Sequence, residues 1–260
     1  MNEVLAGIAG LLDMTEAVLW QAVLVFVRMG ALVALLPAIG EQTVPQRVKL
    51  AVVIVLTMTV TPLIADGPYR PEADPGLAAL AVEAVSGLII GIGLRLFVLA
   101  LITAGSIIAQ ATTLSQLFAG AAPEPQPAIG NLLIIAGLAI AVSAGLHVRV
   151  VELVVQSYAI LPQGRLPSPA EVADWGLSKI AATFRLSFAL AAPFVIASMI
   201  YNLALGAINR AMPQLMVSFV GAPALTLGAL AMLAVTTPLL LEVWHQALLG
   251  HLREPFAVVP

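Results

Sequence analysis

Residues Leu205–Pro223 read LGAINRAMPQLMVSFVGAP, and this stretch interrupts two long apolar runs. No charged residue occurs from Leu186 to Asn209, and none from Ala211 to Leu241. Either run exceeds the about 20 residues that a helix needs to cross a bilayer. Between them lies a polar knot, Asn209, Arg210, Pro213 and Gln214. An ordinary membrane loop would be more polar. An ordinary membrane helix would not carry the arginine, because an ion at the bilayer centre costs about 2.5–3.5 kcal/mol on insertion scales. The plain reading of Arg210 is a loop arginine at a headgroup; the other is a group that meets polar partners in protein.

Working outward, the whole chain has the same character. Hydrophobic residues make up 61% and charged residues 10% of its 260 residues, with a mean hydropathy of +1.05. A soluble domain carries about 25% charged residues, so this chain cannot cover a water-facing surface. It reads as an all-α, polytopic membrane protein, with length for about five to seven spans. A membrane β-barrel would need short segments of alternating polarity, whereas these runs are unbroken Ala, Leu, Ile and Val. The formal net charge of −3 and the lack of any basic run exclude nucleic acid as a partner class. Without cysteine there are no disulfides, iron–sulfur clusters or thiolate metal sites. The N-terminal stretch has no basic region and carries Glu3, Asp13 and Glu16, unlike a cleaved signal peptide.

The first predicted span is Val18–Leu36, closed by Pro37 and Gly40. A polar link, Glu41–Lys49, leads to an apolar run Leu50–Ile64 and then a turn-rich loop Ala65–Gly76. Leu77–Phe118 is too long for one simple span and suggests two crossings. Ala119–Asn131 is proline-rich and non-helical for part of its length. Leu132–Leu146 is apolar, Leu161–Trp175 with three prolines reads as a loop, and a helix resumes after Lys179, with apolar character continuing to about Leu241. Counting Lys and Arg alone favours an outside N-terminus and an inside 149–185 segment, provided that 77–118 crosses twice.

Arg28, Glu83 and Arg95 are ions inside apolar runs. Glu83, Gly87, Gly91 and Arg95 recur every four residues, forming a slowly drifting stripe on a helix. The glycine pair would let another helix approach closely. One reading is a buried packing seam with paired ions; the other has Arg95 snorkelling and Glu83 near a helix end. The segment Thr112–Gly130, TTLSQLFAGAAPEPQPAIG, is likewise either a plain connector or a re-entrant loop, whose freed backbone groups must be satisfied inside protein. Its candidate residues are Leu114, Gln116, Leu117, Phe118, Pro123 and Pro125. His147, His245 and His251 show no metal-ligand spacing, and no nucleotide-binding or hydrolase motif occurs. No enzyme, cofactor or metal site is expected.

An ordered set of features resembles the FliR family of flagellar export-gate proteins, whose injectisome relatives are the SctT proteins. They are F-V-R at Phe26–Arg28, P-A-I-G at Pro37–Gly40, V-P-Q-R-V-K at Val44–Lys49, and E-x-x-x-G-x-x-x-G at Glu83, Gly87 and Gly91. Gly145 and His147, N-R-A-M-P-Q at Asn209–Gln214 and V-G-A-P at Val220–Pro223 complete it. Two departures are Met216, where an asparagine is expected, and P-E-P-Q-P in place of an Asp-Pro.

The resemblance implies kinked helices and helical hairpins in about six to seven apolar segments, within one integral-membrane export-gate domain over 1–260. About 18–130 would be a FliP-like part with a plug loop, and about 131–260 the later helices with a FliQ-like hairpin. It implies a structural, pore-forming subunit of the flagellar type III export gate in the bacterial inner membrane at the basal body. FliP-like and FliQ-like gate subunits would be its neighbours, with an FlhB-like switch protein outside and unfolded substrates in transit. The 112–130 loop would be the plug, and Asn209, Arg210, Pro213 and Gln214 a subunit contact. The competing readings are a secondary transporter for a small solute, for which no internal repeat is evident, and the SctT counterpart of the same gate.

Overall fold

A computed structural model of the chain describes residues 2–64, 76–113, 128–212 and 217–257, and all regular structure within them is helical. The helices are α1 (Asn2–Leu35), α2 (Gln46–Ile64), α3 (Gly76–Thr113), α4 (Ala128–Ser143), α5 (Leu146–Ile160), α6 (Pro169–Ala211) and α7 (Val217–Arg253). Their ends follow from local chemistry. Pro37 cannot continue α1, and the chain turns there with Ala38 at φ 71° and the Gly40 amide donating to the Leu36 carbonyl at 2.7 Å. Pro45 precedes α2 and Pro169 opens α6, positions where a missing N–H costs nothing. Gly145, at φ 81°, separates α4 from α5 in a left-handed conformation that suits a residue without Cβ.

Among the described residues, five helical stretches are long and apolar enough to cross a membrane, and α4–α5 adds a sixth if the broken pair counts as one span. Three helices are much longer than a crossing needs. With 38 residues in α3, 43 in α6 and 37 in α7, each measures about 55–65 Å at 1.5 Å per residue. The hydrocarbon core is about 30 Å thick.

The structure departs from the sequence expectations at four places. Helix α1 begins at Asn2, well before Val18, because the N-terminal segment has no proline and keeps Glu3, Leu5, Ala6, Ala9, Leu11, Leu12 and Met14 around its two glycines. The 77–118 run is not two crossings: residues 76–113 form one continuous helix, since no proline or turn signal interrupts them. The charge-based orientation required that second crossing and loses its condition. The proposed 161–175 loop ends at Ser168, because a proline at position 169 starts a helix as readily as it breaks one. Finally, α7 passes Leu241 and runs to Arg253.

The chain forms two compact units of interleaved segments. The first comprises residues 1–95, 145–177 and 251–258; the second comprises 96–144, 178–250 and 259–260. In the first, α1 packs on α2 and α2 on α5. Leu32 and Met29 of α1, Leu94 of α3 and Leu153 of α5 are fully buried. The chain after α7 folds against the start of α6: the Trp175 indole Nε1 donates to the Pro255 carbonyl at 2.9 Å, and its ring lies 6.4 Å from that of Phe256. In the second unit Trp244 is the largest buried side chain, donating through Nε1 to the Phe97 carbonyl at 2.9 Å. Gly105 approaches Gly130 so closely that a Cβ on Gly105 would collide with the backbone. Near the end of α3 the Ala111 carbonyl lacks an intrahelical partner by position, and the Ser198 hydroxyl of α6 donates to it at 2.7 Å.

Candidate functional site

The first unit is organised round a buried ion pair. Arg28 comes from the middle of α1 and Glu83 from the second turn of α3, and both side chains are 0% exposed. The guanidinium donates in a fork, Nε to Oε2 at 2.7 Å and Nη2 to Oε1 at 3.1 Å. Paired, charge-assisted bonds of this geometry are the strong class. The remaining contacts come from α5 and the segment after it. Arg28 Nη1 donates to Ser157 Oγ at 3.0 Å, and Nη2 donates to the Leu161 carbonyl at 2.8 Å. The Ser157 hydroxyl in turn donates to the Val154 carbonyl at 2.6 Å. The guanidinium carbon lies 3.8 Å from the Tyr158 ring centroid, within cation–π range.

Such a pair is tolerated only when its remaining donors and acceptors are satisfied, because taking two ions from water costs several kcal/mol each. Here the compensation arrives from α5 and the segment just after it, through Ser157, Tyr158 and the Leu161 carbonyl. The close approach of α1 and α3 is made by glycine. A Cβ at Gly87 would strike the Arg28 carbonyl oxygen and lie 2.9 Å from Ala31 Cβ; at Gly91 it would lie 3.0 Å from Leu35 Cβ. The glycine edge of α3 therefore lies along the Arg28–Leu35 stretch of α1.

Arg95, the fourth member of the sequence stripe, does not join this pair. It forms an ion pair with Glu41 in the turn beyond α1, with the two side chains 31% and 27% exposed. Asn209 and Arg210 are exposed at the end of α6, where the arginine sits in the last turn and complements the helix dipole. Pro213 and Gln214 lie outside the described residues, as do Leu114, Gln116, Leu117, Phe118, Pro123 and Pro125.

Sequence reasoning missed four contributors: Glu41, Ser157, Tyr158 and the Leu161 carbonyl. Glu41 carried a usable signal: the runs holding Arg28 and Arg95 offer one acid, Glu83, for two arginines, and Glu41 is an acid in the turn just beyond α1. Ser157 and Tyr158 carried none, since a lone serine and tyrosine on a mixed helix such as α5 are unremarkable, and a backbone carbonyl has no sequence signature. Chemically the cluster is a clamp. Its carboxylate is committed to a guanidinium and its serine hydroxyl to the Val154 carbonyl, and no group of three His, Cys, Asp or Glu side chains is arranged to hold a metal among the described residues.

A family model for bacterial export proteins, family 1, matches residues 19–250. This chain belongs to that family, the FliR family. The flagellar biosynthetic protein FliR of Caulobacter vibrioides is 34% identical over 228 residues, covering 86% of this chain and 90% of the relative. The Escherichia coli protein of the same name is 26% identical over 216 residues, 82% of either chain. That of Aquifex aeolicus is 26% identical over 229 residues, 87% of this chain and 88% of the relative. The matched region of this FliR-family chain contains Arg28, Glu83, Ser157 and Leu161, so the clamp lies wholly within the family's extent.

Proposed function

We propose that this FliR-family protein is a structural, pore-forming subunit of the flagellar type III export gate, through which unfolded flagellar substrates pass. Family membership makes it a component of the flagellar export apparatus; the pore role, the partners and the site are the further step. The single observation that carries the reading is the match across residues 19–250 to a family of export proteins. Its partners in this reading are FliP-like and FliQ-like gate subunits and an FlhB-like switch protein, in the bacterial inner membrane at the basal body.

Two features support that reading physically. Helices α3, α6 and α7 are far longer than a bilayer crossing, which suits a gate whose helices extend beyond the hydrocarbon layer. The α6 surface is also unusually open: Phe184, Phe188, Ile196, Met199, Ile200 and Leu203 are all more than half exposed. In the proposal neighbouring gate subunits cover part of it, α6 and α7 act as the FliQ-like hairpin, the segment to about residue 130 as the FliP-like part, and Thr112–Gly130 as the plug. Asn209, Arg210, Pro213 and Gln214 then serve as a subunit contact. The buried clamp fixes α1, α3 and α5 as one rigid support and performs no catalysis.

Native mass analysis after co-expression with FliP-like and FliQ-like partners in mild detergent tests this. A defined heteromeric complex holding one copy of the chain is expected. A monodisperse monomer or homodimer that ignores those partners would overturn the proposal.

A further inference from the structure

An open groove of about 850 Å³ lies within the first unit, where the connector at residues 161–168 meets the first turns of α6 and the chain that follows α7. Ile89, Leu161 and Trp175, each at most 7% exposed, form its apolar base, and Leu166, Val172 and Phe256 line it with more exposure. Two of the base residues are fastened from outside the groove. The Leu161 carbonyl accepts from Arg28 Nη2 at 2.8 Å, and the Trp175 indole donates to the Pro255 carbonyl at 2.9 Å. The groove is therefore formed before any partner arrives, and a preformed site loses less binding energy to ordering.

Three charges stand round this base. Arg165 comes from the connector, Glu171 and Asp174 come from α6, and all three are exposed. None forms an ion pair among the described residues. Glu171 suits the positive end of the α6 dipole, but that effect falls off within the first turn, and Asp174 lies beyond it. An apolar centre with a charged, solvent-accessible rim is the anatomy of a protein-binding surface.

We propose that this groove docks a segment of another protein in which an apolar anchor stands between a Lys or Arg and an Asp or Glu. The anchor covers Leu161 and Trp175, the cation meets Glu171 and Asp174, and the acid meets Arg165. Complementary charges of this kind fix the orientation of a partner and reject mispaired ones. A lipid does not suit the place. The charge-free run of α6 begins at Leu186, eleven residues beyond Trp175, or about 16 Å along the helix at 1.5 Å per residue. The headgroup layer adds only about 5–8 Å on each side of the hydrocarbon. A small molecule suits it no better, since such ligands are mostly enclosed by their sites and this groove is open. The inference rests on the groove and does not depend on the pore reading.

Photo-crosslinking tests the site in cells that express the full chain with its native neighbours. The probe is p-benzoylphenylalanine in place of Leu166, which lines the groove and is 62% exposed. The same group in place of Leu177, 70% exposed on α6 but outside the groove lining, is the control. Mass analysis of the adduct at position 166 should read one defined peptide with an apolar residue between a base and an acid. Glu171→Lys with Asp174→Lys should lower that adduct at least several-fold at unchanged protein level, and Arg165→Glu should do the same. A lipid adduct, a peptide without that pattern, an equal yield of the same adduct from position 177, or no adduct would overturn the proposal. So would a yield that survives both charge reversals. Should a reversal fail to fold, Glu171→Gln with Asp174→Asn removes the acids more gently, and the same loss is required of it. Recovery of the heteromeric gate complex is measured separately, so its failure would overturn the export reading and leave this site standing.

Discussion

Arg28 and Glu83 stand 55 positions apart in the chain and meet in a fully buried, forked ion pair with Nε and Oε2 2.7 Å apart. Each is an expensive residue inside an apolar helix, and neither is tolerable without the other. The pair therefore fixes the register of α1 against α3 more sharply than apolar side chains could. It then recruits α5 through Ser157, Tyr158 and Leu161.

Removing one partner should be far worse than removing both. Arg28→Ala leaves an uncompensated buried carboxylate and is expected to destabilise the protein by about 3–5 kcal/mol. The double variant Arg28→Met with Glu83→Leu should recover most of that loss, since a well-packed apolar pair of similar volume is often neutral. Thermal unfolding in a single detergent measures both. Equal losses in the single and double variants would show that the charges themselves matter little.

The glycine edge of α3 gives a graded prediction. Gly87→Ala pushes a methyl group into the Arg28 carbonyl, where backbone must move, and should cost about 1–3 kcal/mol. Gly91→Ala meets Leu35 Cβ at 3.0 Å and the Leu32 carbonyl oxygen at 3.2 Å, milder overlaps than at Gly87, and should cost less. Gly206→Ala, on α6 with nothing within 4 Å of the new methyl, should stabilise the isolated chain by about 0.5–1 kcal/mol, the helical preference of alanine over glycine. Denaturation midpoints for the three variants should fall in that order, with Gly87→Ala lowest.

The Arg95–Glu41 pair should behave as a surface interaction. Both side chains are about a third exposed, so Glu41→Gln is expected to cost only about 0.2–1 kcal/mol. Raising the ionic strength should shrink the difference further through screening. Unfolding measured at low and high salt checks this, and a large salt-independent loss would show that the pair is more deeply buried in the working protein.

Arg210 separates folding from assembly. It is exposed at the end of α6, so Arg210→Ala should leave the stability of the isolated chain within about 0.5 kcal/mol. Recovery of the complex with FliP-like and FliQ-like partners should fall. Undiminished complex yield would rule out Arg210 as a subunit contact.

Ser198 probes the second unit. Ser198→Ala leaves the Ala111 carbonyl, near the end of α3, without its donor, and a buried unsatisfied acceptor costs about 1–3 kcal/mol. Thermal unfolding of this variant beside Ser143→Ala, whose hydroxyl is exposed on α4 and donates within its own helix, should show a clear loss in the former alone.

The sequence by itself determined the fold class, the family and the positions of the costly residues. Those follow from local quantities: apolar runs too long for anything but membrane helices, ions where lipid would forbid them, and glycines at four-residue spacing. The stripe at Glu83, Gly87, Gly91 and Arg95 was legible for this reason, since helical periodicity is written in one segment of chain. Tertiary structure alone decided how those residues pair. The first ion of the stripe turns inward to Arg28 and the last outward to Glu41, because α1 ends at Leu35 and its following turn brings an acid to Arg95. Likewise, only the fold could bring Ser157, Tyr158 and a backbone carbonyl at 161 to a guanidinium more than 120 positions earlier. Partnership between distant residues depends on helix packing, and packing is a property of the whole chain rather than of any stretch within it.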